Sequence, residues 1–190
     1  MMLMASFVGT CNAAPVTLKE LKRVLAYYQS IEQLDVDFKQ TKILKDINMK
    51  LESEGHLTLK FPDRVEWKVT KPQAMLVELE NQKIKITSAS GSQSFSQNEN
   101  PSAKDRRSFE SILNWLRLDA DGIYQRYIIN SASKRRYNFV AKDKSEPVIK
   151  ALDMELTGNG HLAKLVFHEV SGDEIHILFN KPKVVYRRTR

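Results

Sequence analysis

Cysteine is almost missing from the 190-residue chain: Cys11 stands alone, which excludes a disulfide scaffold. Glycine is sparse at seven residues, and none of them falls in a phosphate-cradling loop, a nucleophile elbow or a dinucleotide-binding fingerprint. No apolar run is long enough to span a bilayer, and no repeat of fixed period stands out. Only four histidines occur, without the cysteine neighbours or paired spacing that a zinc site needs. His56 alternates with Thr58 and Lys60 on the polar side of its run, His161 follows a glycine turn, and His168 and His176 fall on separate runs. All four read as surface or edge residues. The acids Asp35/Asp37 and Glu52/Glu54 alternate toward solvent, which argues against a paired-carboxylate mechanism. These absences point to binding rather than catalysis, with no metal and no cofactor expected.

What is present is a chain with 42% hydrophobic residues, of a length suited to one soluble domain with one core. Thirty Lys and Arg against 23 Asp and Glu give a net charge of +7. The cations are scattered, with knots only at Arg106-Arg107, Lys134-Arg135-Arg136 and Arg187-Arg188. Scatter of this kind suits solvated surface, acidic partners or anionic headgroups better than a nucleic-acid backbone. Met1 to Ala14 carry no charge, and Leu3 to Val8 form a short apolar run before Cys-Asn-Ala-Ala-Pro. That segment resembles the end of an export signal cleaved after Ala13 or Ala14, although the first basic residue is only Lys19. Cys11 also follows an apolar run as a lipid-attachment cysteine does, with Thr10 a poor residue directly before it. The expected division is a leader over residues 1–14 and one domain over 15–190.

Thr17-Leu-Lys-Glu20 has capping-box spacing, and Leu18, Leu21, Leu25 and Tyr28 recur at helical spacing up to Ser30. The period then changes to two. Leu34/Val36/Phe38, Ile47/Met49/Leu51, Leu57/Leu59/Phe61, Val65/Trp67/Val69, Met75/Val77/Leu79 and Ile84/Ile86 alternate with polar residues, as in an antiparallel meander with one apolar face. Residues 88–103 break the rhythm with serine, glutamine and asparagine and read as a loop or irregular hairpin. Ser102 with Asp105 suggests a second helix start, with Phe109, Ile112, Leu113 and Leu116 as its apolar stripe. Asp119-Ala-Asp-Gly122 reads as a turn, since the later ligands of a calcium loop are absent. Strands are expected again at 123–129, 137–141, 151–156, 164–170 and 174–179. About eleven strands and two principal helices make an α+β fold: a strongly curved antiparallel sheet, its concave apolar face covered by the helices. Periodicity alone leaves open whether that face is a packed core or a cavity.

The stretches Leu34-Asp-Val-Asp-Phe-Lys-Gln-Thr41 and Gly55-His-Leu-Thr-Leu-Lys-Phe-Pro-Asp-Arg-Val-Glu-Trp67, then Lys71-Pro72, Tyr124-Gln-Arg-Tyr127, Tyr137-Asn-Phe139 and Leu165-Val-Phe167, resemble the outer-membrane lipoprotein carrier protein (LolA) family in order and spacing. The resemblance runs over about residues 17–182. It implies an incomplete β-barrel lidded by helices, which receives lipoprotein acyl chains from an inner-membrane ABC transporter and hands them to an outer-membrane receptor. It further implies a periplasmic carrier, expected as a monomer without nucleic-acid partners, with another lipid as alternative cargo. A lipid- or lipoprotein-sensing regulatory protein of the same fold is the alternative function. Carried over by strand position, the cavity residues are Leu34, Val36, Phe38, Leu57, Leu59, Val65, Trp67, Met75 and Val77. The lid residues are Leu21, Leu25, Phe109, Ile112, Leu113 and Leu116. Phe61 stands where the family commonly has a lid-bonding Arg, and is the expected lid contact. Lys83 to Ser90 is nearly free of the aromatics that the family tends to carry there.

Overall fold

The computed structural model describes residues 14–80, 83–96, 111–113, 115–143 and 148–187. The expected leader up to Ala13, with Cys11, lies outside the described residues, as does Phe109. Thr17 opens helix α1 (Leu18–Gln29) through the expected capping box. The Glu20 backbone N–H donates to the Thr17 hydroxyl (3.3 Å), and the Thr17 N–H donates to the Glu20 carboxylate (2.8 Å). Leu21, Leu25 and Tyr28 are buried on one side of the helix, while Lys19, Lys22 and Arg23 stay in water.

The strands are β1 (Ala14–Pro15), β2 (Ile31–Leu44), β3 (Met49–Lys60), β4 (Arg64–Lys71), β5 (Met75–Glu80), β6 (Lys83–Ser88) and β7 (Gly91–Ser96), then β8 (Tyr127–Ser133), β9 (Arg136–Ala141), β10 (Ile149–Leu156), β11 (Leu162–Glu169) and β12 (Glu174–Tyr186). They form one twelve-stranded sheet in the order β1-β8-β9-β10-β11-β12-β2-β3-β4-β5-β6-β7. Two antiparallel meanders, β2 to β7 and β8 to β12, are therefore joined along the β12–β2 pair. The outer strands β1 and β7 do not meet, so the barrel stays open. Between β7 and β8 come α2, helical at the described residues 111–113 and 115–116, and α3 (Ala120–Arg126). Among the described residues no helix is long and apolar enough to cross a membrane.

Several expectations shift. The apolar runs at Ile47 to Leu51 and Leu57 to Phe61 belong to one β-hairpin arm, not two strands: Ile47 ends a short 3-10 turn, and β3 runs unbroken from Met49 to Lys60. Ile47, Met49 and Leu51 are exposed despite their pattern. Of the two readings of the serine-rich stretch the hairpin holds, since β7 pairs with β6 from Ser88↔Gly91 to Lys83↔Ser96. Asp119 to Gly122 is not a plain turn but the start of α3, and Ile123, expected in a strand, is buried in that helix. β12 continues beyond Phe179 through Lys181-Pro182, where a register shift between Asn180 and Lys183 accommodates the proline. Ala14, the last residue of the expected leader, pairs with Ser131 at the sheet edge.

The polar residues of β2 and β3 meet on the convex face. Asp37 Oδ1 lies 3.0 Å from His56 Nδ1, and the Thr58 hydroxyl donates to Asp35 (2.7 Å). On β10 to β12, His168 contacts Asp153 (2.8 Å) and His176 contacts Glu174 (2.9 Å). These three histidines are half-buried surface groups, as expected.

Candidate functional site

Alternation along β2 to β6 aligns the inward side chains in rows across the sheet. Leu34, Leu59, Val65, Leu79 and Ile84 are successive cross-strand partners. Val36, Leu57, Trp67, Val77 and Ile86 form the next row, and Phe38, Gly55, Val69 and Met75 the third. All nine expected cavity residues thus share one face. Eight of them are buried and Met75 is half-buried. Phe38 and Trp67 stack at 4.0 Å between ring centroids with a 33° tilt. Gly55 makes room for this pair, because a Cβ there would meet the Lys68 carbonyl oxygen and come within 2.9 Å of Phe38 Cζ.

The helices roof this face. Leu21 and Leu25 from α1 and Ile112, Leu113 and Leu116 from α2 are all buried in the same apolar cluster as the strand residues. In this state the concave face is filled by side chains. Phe61 is half-buried and lies 6.0 Å, ring to ring, from Tyr28 of α1. Tyr28 itself fastens the helix: its hydroxyl donates to Gly160 O (3.2 Å) and accepts from the Leu162 N–H (2.7 Å). Burial pushes its phenol well above the ordinary tyrosine range, so it remains a donor at any ordinary pH. His161 belongs to the same fastening rather than to open surface. Its ring meets Tyr27 edge-on at 4.9 Å, and its Nδ1 is buried without a hydrogen-bond partner among the described residues.

The candidate list covers only half of the concave face. The β8 to β12 half adds Phe139, Leu152, Met154, Leu165, Phe167 and Ile177, all at most 1% exposed. The same two-residue period marks them in the sequence. Trp115 of α2 sits edge-on over Phe139 (5.3 Å) and Phe167 (6.4 Å). Its Nε1 is buried with no hydrogen-bond partner among the described residues.

At one end of the roof a cleft of about 960 Å³ opens between α1, α3, the β3–β4 turn and the chain beyond β12. Its floor includes Leu25, Tyr28, Phe61 and Leu118, and its walls carry Lys22, Arg117, Arg126 and Arg187 with Asp119 and Asp121.

An open antiparallel half-barrel whose apolar concave side is covered by helices defines a class of mainly antiparallel β-proteins built around one apolar face. The family model for the outer membrane lipoprotein carrier protein LolA matches residues 29–189, and the chain belongs to that family. No curated protein matches the sequence. A DUF1329 family protein from Desulfovibrio piger has the same fold, with a TM-score of 0.51 at 9% identity over 88% of this chain and 91% of that one. A LolA superfamily protein from Nitrosomonas europaea matches at TM-score 0.44 and 10% identity, over 88% of this chain and 94% of its own. The Mycobacterium tuberculosis lipoprotein LppX matches at TM-score 0.46 and 12% identity, over 86% of this chain and 93% of its own.

Proposed function

We propose that the chain is a periplasmic carrier without catalytic activity, which binds the acyl chains of lipoproteins or of another lipid against its concave face and moves them from the inner to the outer membrane. The inner-membrane ABC transporter and the outer-membrane receptor would then be its partners, and the chain would work as a monomer. The observation that carries this reading is the three-row apolar face of Leu34 to Ile86 under a helical roof, in a chain of the lipoprotein carrier family. A sixteen-carbon chain costs on the order of 12 kcal/mol to expose to water, so crossing between membranes demands a substitute for the bilayer. A roof anchored at few points can supply one by lifting. The unpartnered Nε1 of Trp115 would also find an acceptor in the ester or amide carbonyl of an acyl cargo.

The test is organic extraction of the purified full chain followed by mass spectrometry, with titration of the extracted protein by a fluorescent acyl probe. Co-purifying acyl lipid and saturable probe binding are expected. Absence of both would remove the carrier reading. Release of a labelled lipoprotein from inner membranes in the presence of the transporter then separates a carrier from a lipid-sensing regulator.

A further inference from the structure

The cleft at the end of the roof combines two kinds of surface. Its floor is apolar: Leu25 and Tyr28 are 2% exposed and Leu118 7%, and Phe61 joins them. Its walls are cationic, with Lys22, Arg117, Arg126 and Arg187 against only Asp119 and Asp121. One of these carboxylates is already engaged, since Asp121 Oδ1 lies 2.9 Å from Lys22 Nζ. Arg126 Nε donates to the Gly122 carbonyl (3.2 Å), which leaves part of its guanidinium for another acceptor. The guanidinium groups of Arg117 and Arg187 make no ion pair among the described residues. Arg117 is half-buried, and the next residue, Leu118, is held at φ 55° with its N–H bonded to the Trp115 carbonyl. A left-handed leucine is uncommon and persists only where packing fixes it, so the turn that presents Arg117 is a fixed one.

Excess cations around an apolar floor complement an anionic amphiphile. A guanidinium offers parallel N–H donors that match phosphate oxygens, and it is weakly hydrated enough to lie beside apolar groups. The floor residues Leu25 and Tyr28 belong to the same apolar cluster as the concave face. The cleft therefore adjoins the apolar cluster that the roof covers. We infer that this cleft is a headgroup site, and that the cargo it selects is an anionic acyl lipid, one whose phosphate headgroup carries net negative charge. This rests on the carrier reading above and adds to it the chemical class of the cargo.

Short-chain phosphatidylglycerol and phosphatidylcholine with the same acyl groups, and inorganic phosphate, would be titrated into the extracted full chain by calorimetry. The anionic lipid is expected to bind roughly tenfold more tightly than the zwitterionic one. Phosphate alone is expected to bind far more weakly than the anionic lipid. Arg117→Gln combined with Arg187→Gln should bring the two lipids within about twofold of each other, while Arg117→Lys retains part of the preference. In the unmodified protein, raising salt from about 50 mM to about 500 mM should weaken the anionic lipid alone, a readout that needs no variant. Equal binding of both lipids overturns the headgroup site and leaves the carrier reading standing. Phosphate binding as tight as the anionic lipid's overturns it in favour of a free-anion site. Binding of neither lipid by protein that still binds the fluorescent acyl probe overturns the headgroup site alone; loss of probe binding as well removes the carrier reading.

Discussion

Trp67 shows how burial decides what a side chain can be asked to do. It is 0% exposed and stacked on Phe38 at 4.0 Å, in the middle row of the concave face. Introducing a carboxylate there to block an acyl chain would bury an unpaired charge and unfold the protein before it tested binding. Trp67→Ala is the cleaner measurement of the site's packing, and should cost about 3–5 kcal/mol in denaturant unfolding. Gly55 marks the same point from the other side. It opens the stretch Gly55 to Trp67, and the structure gives the reason for a glycine there: any Cβ would strike the Lys68 carbonyl and the Phe38 ring. Backbone cannot give way as a flexible side chain can, so Gly55→Ala should destabilise by about 1–3 kcal/mol, read as a lower denaturant midpoint. Glu174 responds to acid. The Lys45 ammonium and His176 hold its carboxyl at about 2, below the ordinary 4.5. A carboxyl depressed on folding adds stability above its unfolded value and loses it as pH falls, here through the window from 4.5 down to about 2. Glu174→Gln should remove about 1 kcal/mol of that acid dependence, seen as a flatter unfolding midpoint across the window.

At the scale of elements, α1 is tied down by its cap and by Tyr28. The hydroxyl of Tyr28 joins the helix to the β10–β11 connection through Gly160 and Leu162. Phe61, standing where a lid-bonding arginine is expected, meets the same ring at 6.0 Å. The polar fastening of α1 lies on the helix itself, at the Tyr28 hydroxyl. Tyr28→Phe leaves the Leu162 N–H buried without an acceptor, which should cost about 1–3 kcal/mol. Amide exchange in α1 should quicken by more than exchange in β2 and β3; equal quickening throughout would mean that Tyr28 supports the whole fold and not the roof. The strand pattern and the Thr17–Glu20 cap were legible because they depend on neighbours in sequence. Period two names the face of a strand but not how far the roof extends over it, and so Met49 and Leu51 read as core and are exposed. β7 could not be told from a loop because its residues Gly91 to Ser94 are small or polar, and its pairing comes from the adjacent strand rather than from apolar alternation. The Tyr28 fastening spans more than a hundred residues, and no local pattern could have disclosed it.

For the molecule as a whole, the filled concave face sets the energetics of the proposed carriage. Lifting the roof exposes Leu21, Leu25, Ile112, Leu113 and Leu116, which are now between 0% and 3% exposed. At about 1.5–3 kcal/mol for each side chain, this costs roughly 7 to 15 kcal/mol. One sixteen-carbon chain withdrawn from water returns about 12 kcal/mol. The two terms are of equal size, so a single chain leaves little surplus, while a second or third chain adds its burial without a second opening cost. Such a balance suits a carrier, which must release what it binds. Titration with fluorescent acyl probes of one and two chains should accordingly give weak binding for the first and binding tighter by several orders of magnitude for the second. Association should be slow and strongly temperature-dependent, because the roof must open before either probe enters. Tyr28→Phe should speed it. Tight single-chain binding at a diffusion-limited rate would show that an open cavity exists in solution and that the packed face is not the resting state.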